Sequence, residues 1–284
     1  MSGLLADSSG RPGLDKVGVW LNDPSNWTGP DGLLFHLRQH IAYTVVAVLV
    51  ALVIALPLGL LVGHTRRGVF LIAGLANALR AVPALGLVVL LVIWISPKIK
   101  LSQTVPGILP HKGALPYLIV VLIALVLLAI PPILINTYAG VQNVDPDARD
   151  AARGMGMTGW QIVRKVEFPC ALPLILSGLR SAVLQVIATA TIAAYAPLLG
   201  GLGSYIINGS QQINSLQFGY PAMVGAGIVV AALALASDVL LMLVQRYAVS
   251  RGLTGRYRNS RLGQSKPGSA PGQGVLAEVE LTKV

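Results

Sequence analysis

Few side chains in this sequence have the type and spacing to do chemistry. His36 and His40 stand four apart, as two metal ligands on one helix face do. Leu37-Arg38-Gln39 between them supplies no catalytic glutamate, and no third ligand is evident, so both are expected to be histidines at a membrane interface. Gly200, Gly201 and Gly203 are rich enough in glycine for a phosphate loop but lack its lysine, and G-x-x-x-x-G-K-[ST] occurs nowhere; a tight turn or a gate is the expectation. Cys170, the single cysteine, excludes a disulfide framework and a cysteine-based metal site. Asp238 sits in an otherwise apolar stretch, where a carboxylate does substrate or proton work or bonds to a neighbouring helix. No nucleophile, base and acid converge, so neither a catalytic residue nor a bound metal is expected. The remaining place is DARDAARGMGMTGWQIVRKVEFP, residues 147–169, a charged and glycine-punctuated interval between apolar blocks.

The elements around these residues are greasy. The 284 residues are 54% hydrophobic and 11% charged, with a mean hydropathy of +0.71. A soluble domain carries about 25% charged residues, so this composition places the chain in a membrane as an all-α, polytopic protein. Residues 39–65, 113–144 and 181–237 hold no Asp, Glu, Lys or Arg. They predict spans near 41–63, 115–137 (ending around Pro131-Pro132), 174–198 and 221–245. Between the first two, 68–95 is interrupted by Arg80 and Pro83 and predicts an interfacial or kinked part leading into a span over about 79–96. Pro57 and Pro83 are candidate kinks lining a pore. Five spans result, or six if 68–80 inserts separately. Segment 1–38 is expected to be extracytoplasmic, and its first thirty or so residues, with Asp7, Asp15, Asp23 and Asp31 and no apolar core, are not expected to be a cleaved signal peptide. A membrane domain is expected over 39–246, and 247–284 reads as a disordered basic tail.

Lys and Arg orient the chain. With the N-terminus outside, the inner segments 64–68, 145–169 and 246–284 hold thirteen, including Arg66, Arg67, Arg149, Arg153, Arg164 and Lys165; the outer segments hold six. The C-terminus and residues 145–169 are therefore expected in the cytoplasm. The net charge of +10 is a topology signal, with no aromatic-interleaved basic stripe for nucleic acid. Within 145–169, Asp145-Pro146 predicts an N-cap followed by proline at the first helical position. Gly154 and Gly156 interrupt that helix, and Thr158 caps a second over 159–167, terminated by Pro169.

Asp150-Ala151-Ala152, three residues, Gly156, nine residues and Val166-Glu167-Phe168-Pro169 resemble the EAA loop of ABC importer permeases, whose pattern is Glu-Ala-Ala, three residues, Gly, nine residues, Ile-x-Leu-Pro. The resemblance covers roughly 20–250. LPLGLLVGHTRRG (56–68), LRAVPALGLVVLL (79–91), LPLILSGLRSAV (172–183) and ATATIAAYAPLLGGLG (188–203) look like the osmoprotectant branch, which moves betaine- or choline-like quaternary amines. At the last of these the family commonly has Gly-Ala-Gly-Gly-Leu-Gly, where this chain has Leu198-Leu199-Gly200-Gly201-Leu202-Gly203 after Pro197.

The resemblance implies a type I importer permease (MetI-like) fold in a bacterial cytoplasmic membrane. It also implies a cytoplasmic ABC ATPase dimer that binds the ATP and magnesium, a second permease subunit, an extracytoplasmic substrate-binding protein, and membrane lipid around the chain. Asp150, Ala151, Ala152, Gly156, Trp160 and Pro169 would form the ATPase-docking loop, Trp160 packing it against the bundle or the partner. Tyr43, Pro83, Tyr195 and Asp238 are candidates for the substrate pathway. An importer permease for another small solute such as an amino acid is the nearest alternative. A stand-alone secondary carrier or channel is another, but it predicts paired intramembrane charges or an inverted repeat, and only Asp238 stands out.

Overall fold

Every fourth residue from Ala47 to Gly63 is small and buried: Ala47, Ala51, Ala55, Gly59 and Gly63. In the computed structural model, which describes residues 15–29, 31–101, 103, 112–213 and 219–249, this ladder runs along α2 (Leu33–Thr65). It lets α2 approach α5 (Leu115–Gln142) closely: a Cβ added at Gly59 would lie 2.6 Å from the Thr137 Cβ, and one at Gly63 2.6 Å from the Val141 Cβ. A third helix, α8 (Phe168–Ala193), closes on α5 in the same way, with Gly178 against Asn136 and Pro132 and Gly140 against Ala171. Lipid gives apolar helices no reason to associate by hydrophobicity, so such close approaches hold them by dispersion. The buried cluster of Ala51, Val121, Leu125, Ile133, Ala182 and Val186 lies among these three helices. The opposite face of α2 is equally apolar but bare, with Val53 74% and Leu61 59% exposed, as a lipid-facing surface must be.

Proline acts differently at three places. α5 does not end near Pro131-Pro132 but runs on to Gln142. Both rings are buried in the bundle, so packing against the neighbouring helices holds the helix through the two missing N–H groups. At Pro83 the helix does break. Val82, held extended (φ −71, ψ 125) by the ring that follows, separates α3 (Val69–Ala81) from α4 (Ala84–Ile95), and the two are bent by 88°. A straight span over 79–96 is thus not formed. α3, at 13 residues or about 20 Å, is too short to be a sixth span; four helices are long and apolar enough to cross a membrane, five if the bent pair counts as one span. Pro169, expected to terminate a helix, instead sits inside one. α7 (Gly159–Ile162) passes through a π turn, Val163–Glu167, into α8 as one apolar element ending at Ala193. The Phe168 N–H reaches back five residues to the Val163 carbonyl, and this widened turn makes room for the proline ring.

α9 (Leu202–Gln211) and α10 (Tyr220–Ala248) follow, and no strand occurs among the described residues. A short helix that the sequence did not announce, α1 (Asp15–Asn22), lays Trp20 on α10, where a Cβ at Gly225 would meet its ring at 2.6 Å. The tail expected to be disordered lies, from residue 250 onward, outside the described residues.

Candidate functional site

The two-part segment after α5 forms as its residues dictate. The Asp145 carboxylate accepts from the Asp147 N–H (3.0 Å), Pro146 takes the first position, and α6 spans Pro146–Gly154. It ends in a Schellman motif. Met157 N–H bonds to the Ala152 carbonyl and Gly156 N–H to the Arg153 carbonyl, with Gly156 left-handed at φ +78. One turn later Gln161 Oε1 accepts from the Thr158 N–H (2.8 Å), closing the start of α7. Ala152 is buried, whereas Asp150 and Ala151 are exposed, Asp150 pairing with Arg153 at 2.8 Å. Trp160 is 69% exposed, so the ring does not pack on the bundle, and Met155 is 70% exposed. Pro169 is exposed where the π turn meets α8.

A buried clamp fixes this segment to the bundle. Glu167, 1% exposed, holds Oε2 2.9 Å from His64 Nδ1 at the end of α2 and Oε1 2.9 Å from Arg149 Nε of α6. The Arg149–Glu167 approach is not aligned as a hydrogen bond, so it acts as charge against charge. A second guanidinium nitrogen, Nη2, donates to the Val141 carbonyl at the end of α5. Four elements thus meet at one carboxylate and one guanidinium, which tie α6 to α2, α5 and the start of α8.

The other end of α2 carries a cavity of about 550 Å³. Its rim is the turn after α8, where Leu198, Gly200 and Gly201 all have positive φ (+64, +70 and +79). Tyr43 OH donates to the Leu199 carbonyl (2.7 Å) and Gly201 N–H to Gln39 Oε1 (2.8 Å). A Cβ at Gly200 would stand 2.4 Å from that Gln39 oxygen, so only glycine fits. Tyr195 and Tyr205 line the cavity with Asp31, Phe35 and His36. The four pathway candidates are therefore not gathered. Tyr195 faces the cavity, Tyr43 is buried beneath its rim, Pro83 lies exposed at the α3–α4 bend, and Asp238 is elsewhere. Asp238 of α10 forms a two-pronged pair with Arg180 of α8.

Of the two histidines, His36 packs edge-on against Tyr205 (5.1 Å). His40 is fully buried, with its Nε2 3.1 Å from the Ile187 carbonyl. Among the described residues no three His, Cys, Asp or Glu side chains converge on a point. Sequence reasoning missed His64, Arg149 and Glu167 as a unit, and Arg180 as the partner of Asp238. Two signals were available: Glu167 is the one acid between residues 151 and 237, and Arg180 and Asp238 are the charges that bound the long neutral interval.

The binding-protein-dependent transport system inner membrane component family matches residues 55–250. The glycine betaine/carnitine/choline transport system permease protein OpuCB of Bacillus subtilis is 30% identical over 223 residues, 78% of this chain and 91% of that one. The carnitine transport permease protein OpuCB of Listeria monocytogenes is 33% identical over 177 residues, 62% of this chain and 72% of that one. Among solved structures, a chain of the inward-facing MetNI methionine ABC transporter superposes with a TM-score of 0.61 at 20% identity, covering 75% of this chain and 94% of that one. This likeness concerns the fold.

Proposed function

This chain belongs to the binding-protein-dependent transport system inner membrane component family, and from that membership we propose that it is the transmembrane permease subunit of an ATP-driven osmoprotectant importer. Its substrate is a quaternary amine such as glycine betaine, choline, carnitine or proline betaine, the class named by the Bacillus and Listeria relatives. The observation that carries the coupling is the clamp. A helix–turn–helix with an exposed Trp160 is tied through Arg149, Glu167 and His64 to three long helices. A partner that moves this lever moves the bundle, whereas a floppy loop would absorb the motion.

In this reading residues 145–169 and the C-terminus are cytoplasmic, as the Lys and Arg distribution favours. Asp150, Ala151, Ala152, Gly156 and Trp160 dock on one subunit of a cytoplasmic ABC ATPase dimer, and that dimer binds and hydrolyses ATP with magnesium. A second permease subunit completes the pathway, and an extracytoplasmic binding protein delivers the substrate.

The test is reconstitution of the full chain with its ABC ATPase and binding-protein partners, scored by uptake of radiolabelled glycine betaine, choline, carnitine and histidine. Uptake of a quaternary amine that needs both ATP and the binding protein is the expected result. ATP-driven uptake of histidine alone would move the substrate to amino acids. Uptake by the lone chain would make it a carrier.

A further inference from the structure

The cavity at the start of α2 has a lining chemistry of its own, and we propose that it is a recognition site for a quaternary ammonium head group within the permease itself. The proposal rests on the reading of the chain as an osmoprotectant permease and adds a second point of selection, beyond the binding protein.

A quaternary ammonium ion donates no hydrogen bond. It is held by the negative faces of aromatic rings, with a carboxylate near enough to balance its charge. Both are here. Phe35, Tyr195 and Tyr205 come from three different helices or helix ends and line one cavity, and Asp31 lines it too. Asp31 is held at the rim, because the Tyr205 hydroxyl donates to its backbone carbonyl. Among the described residues no Lys or Arg forms an ion pair with this carboxylate. Burial and the Asp31 charge push the Tyr205 phenol above its ordinary pKa, so the ring stays neutral and keeps its donor. The side-chain amides of Asn208 and Gln211 complete the wall and offer N–H groups to a carboxylate. A zwitterion thus has a place for each charge. At about 550 Å³ the space lies within the range of small-ligand pockets, roughly 300–1,000 Å³.

The position supports transit rather than tight storage. From Phe35 to His64 is 29 residues of continuous helix, about 44 Å, so the cavity and the clamp stand at opposite ends of α2. With the clamp in the cytoplasm, the cavity opens on the side where a binding protein would release its cargo. Tyr195 is 56% exposed, which fits a site that must give up what it holds.

Binding to the full chain in nanodiscs, with no partner protein present, tests the site directly. The probes are tetramethylammonium and choline, with 3,3-dimethylbutanol as the uncharged isostere of choline. Saturable binding of both cations and none of the isostere is expected. Asp31→Asn and Tyr195→Leu should each weaken it roughly 5- to 30-fold, and Tyr195→Phe should restore it by keeping the ring. Equal binding by wild type and both variants, or loss in Tyr195→Phe as great as in Tyr195→Leu, would overturn the proposal. The same variants in the reconstituted importer separate the two readings. Quaternary-amine uptake with an unchanged KM in Asp31→Asn sinks the cavity alone. Absence of any quaternary-amine uptake or binding by wild type sinks both.

Discussion

The carboxylate of Glu167 stands 2.9 Å from Arg149 Nε, and the two side chains are 1% and 8% exposed. Such a pair adds little net stability, because burying the two charges offsets their attraction, but removing one partner strands the other. Arg149→Met or Glu167→Gln alone should therefore destabilise the chain by about 3 kcal/mol. The double variant should recover part of that loss, because no charge is stranded but the Val141 carbonyl still loses its Arg149 donor. Thermal unfolding in detergent measures the stability. If the pair also transmits motion, the double variant will be stable yet hydrolyse ATP without matching uptake in the reconstituted importer. A double variant as unstable as the worse single one would show that the pair is not the coupled unit described.

Gly156 and Trp160 separate the fold of the loop from its docking. Gly156 is left-handed at φ +78 in open space, so an added side chain meets strain but no clash. Gly156→Ala should cost about 1 kcal/mol and misdirect α7, lowering uptake more than insertion. Gly156→Glu should abolish uptake while the chain still inserts. Trp160→Ala removes an exposed ring and should leave the melting temperature of the lone chain unchanged. ATPase co-purification should fall, since a docked aromatic is commonly worth about 2 kcal/mol to an interface. An unstable Trp160→Ala chain would mean that the ring packs within the fold.

The long helices and both caps of α6 and α7 were legible because each rests on a local rule: neutral runs of bilayer length, Asp145-Pro146 before a helix, glycine after one. Proline misled where tertiary packing overrode local preference. Pro131 and Pro132 sit inside a bundle that holds the helix together, and Pro169 is accommodated by a π turn with no composition signature. The clamp and the cavity were illegible for a different reason. His64 and Glu167 are 103 residues apart in sequence, and Phe35 and Tyr205 are farther still. Only the packing of α2 against α5, α8 and α9 brings such pairs together, and the small residues that permit it say nothing about which polar side chains will meet.

Leu198 carries a φ of +64, a left-handed conformation that favours glycine. A left-handed leucine costs about 1–2 kcal/mol, and with its side chain 48% exposed, packing returns little of it. Leu198→Gly should consequently raise stability slightly, by about 0.5–1 kcal/mol after the extra freedom glycine has when unfolded. Thermal unfolding checks it. A clear loss of stability would mean that the Leu198 side chain holds the cavity rim in place. The neighbouring Gly200→Ala should be destabilising, since a φ of +70 strains an added side chain and its Cβ would displace the Gln39 amide oxygen from the Gly201 N–H.

Arg180 and Asp238 join α8 to α10, a helix otherwise buried only near its start at Pro221, Ala222, Gly225 and Ala226. Beyond those residues its contacts with the bundle include this pair and the Gln245 amide, which donates to the Pro173 carbonyl at 3.1 Å. A lone charge at that depth is unfavourable in lipid, so each partner justifies the other. Arg180→Met should therefore lower insertion and expression by leaving Asp238 unpaired, and Asp238→Asn should do the same to Arg180. The double variant Arg180→Met/Asp238→Asn should insert normally, and the swapped pair Arg180→Asp/Asp238→Arg should come close to it. Membrane-fraction yield and a cysteine crosslink between α8 and α10 read this part. Uptake then decides whether the pair is only a fastener. Full activity in the uncharged double variant makes it one, whereas a well-inserted but inactive double variant places the charges themselves in the transport step.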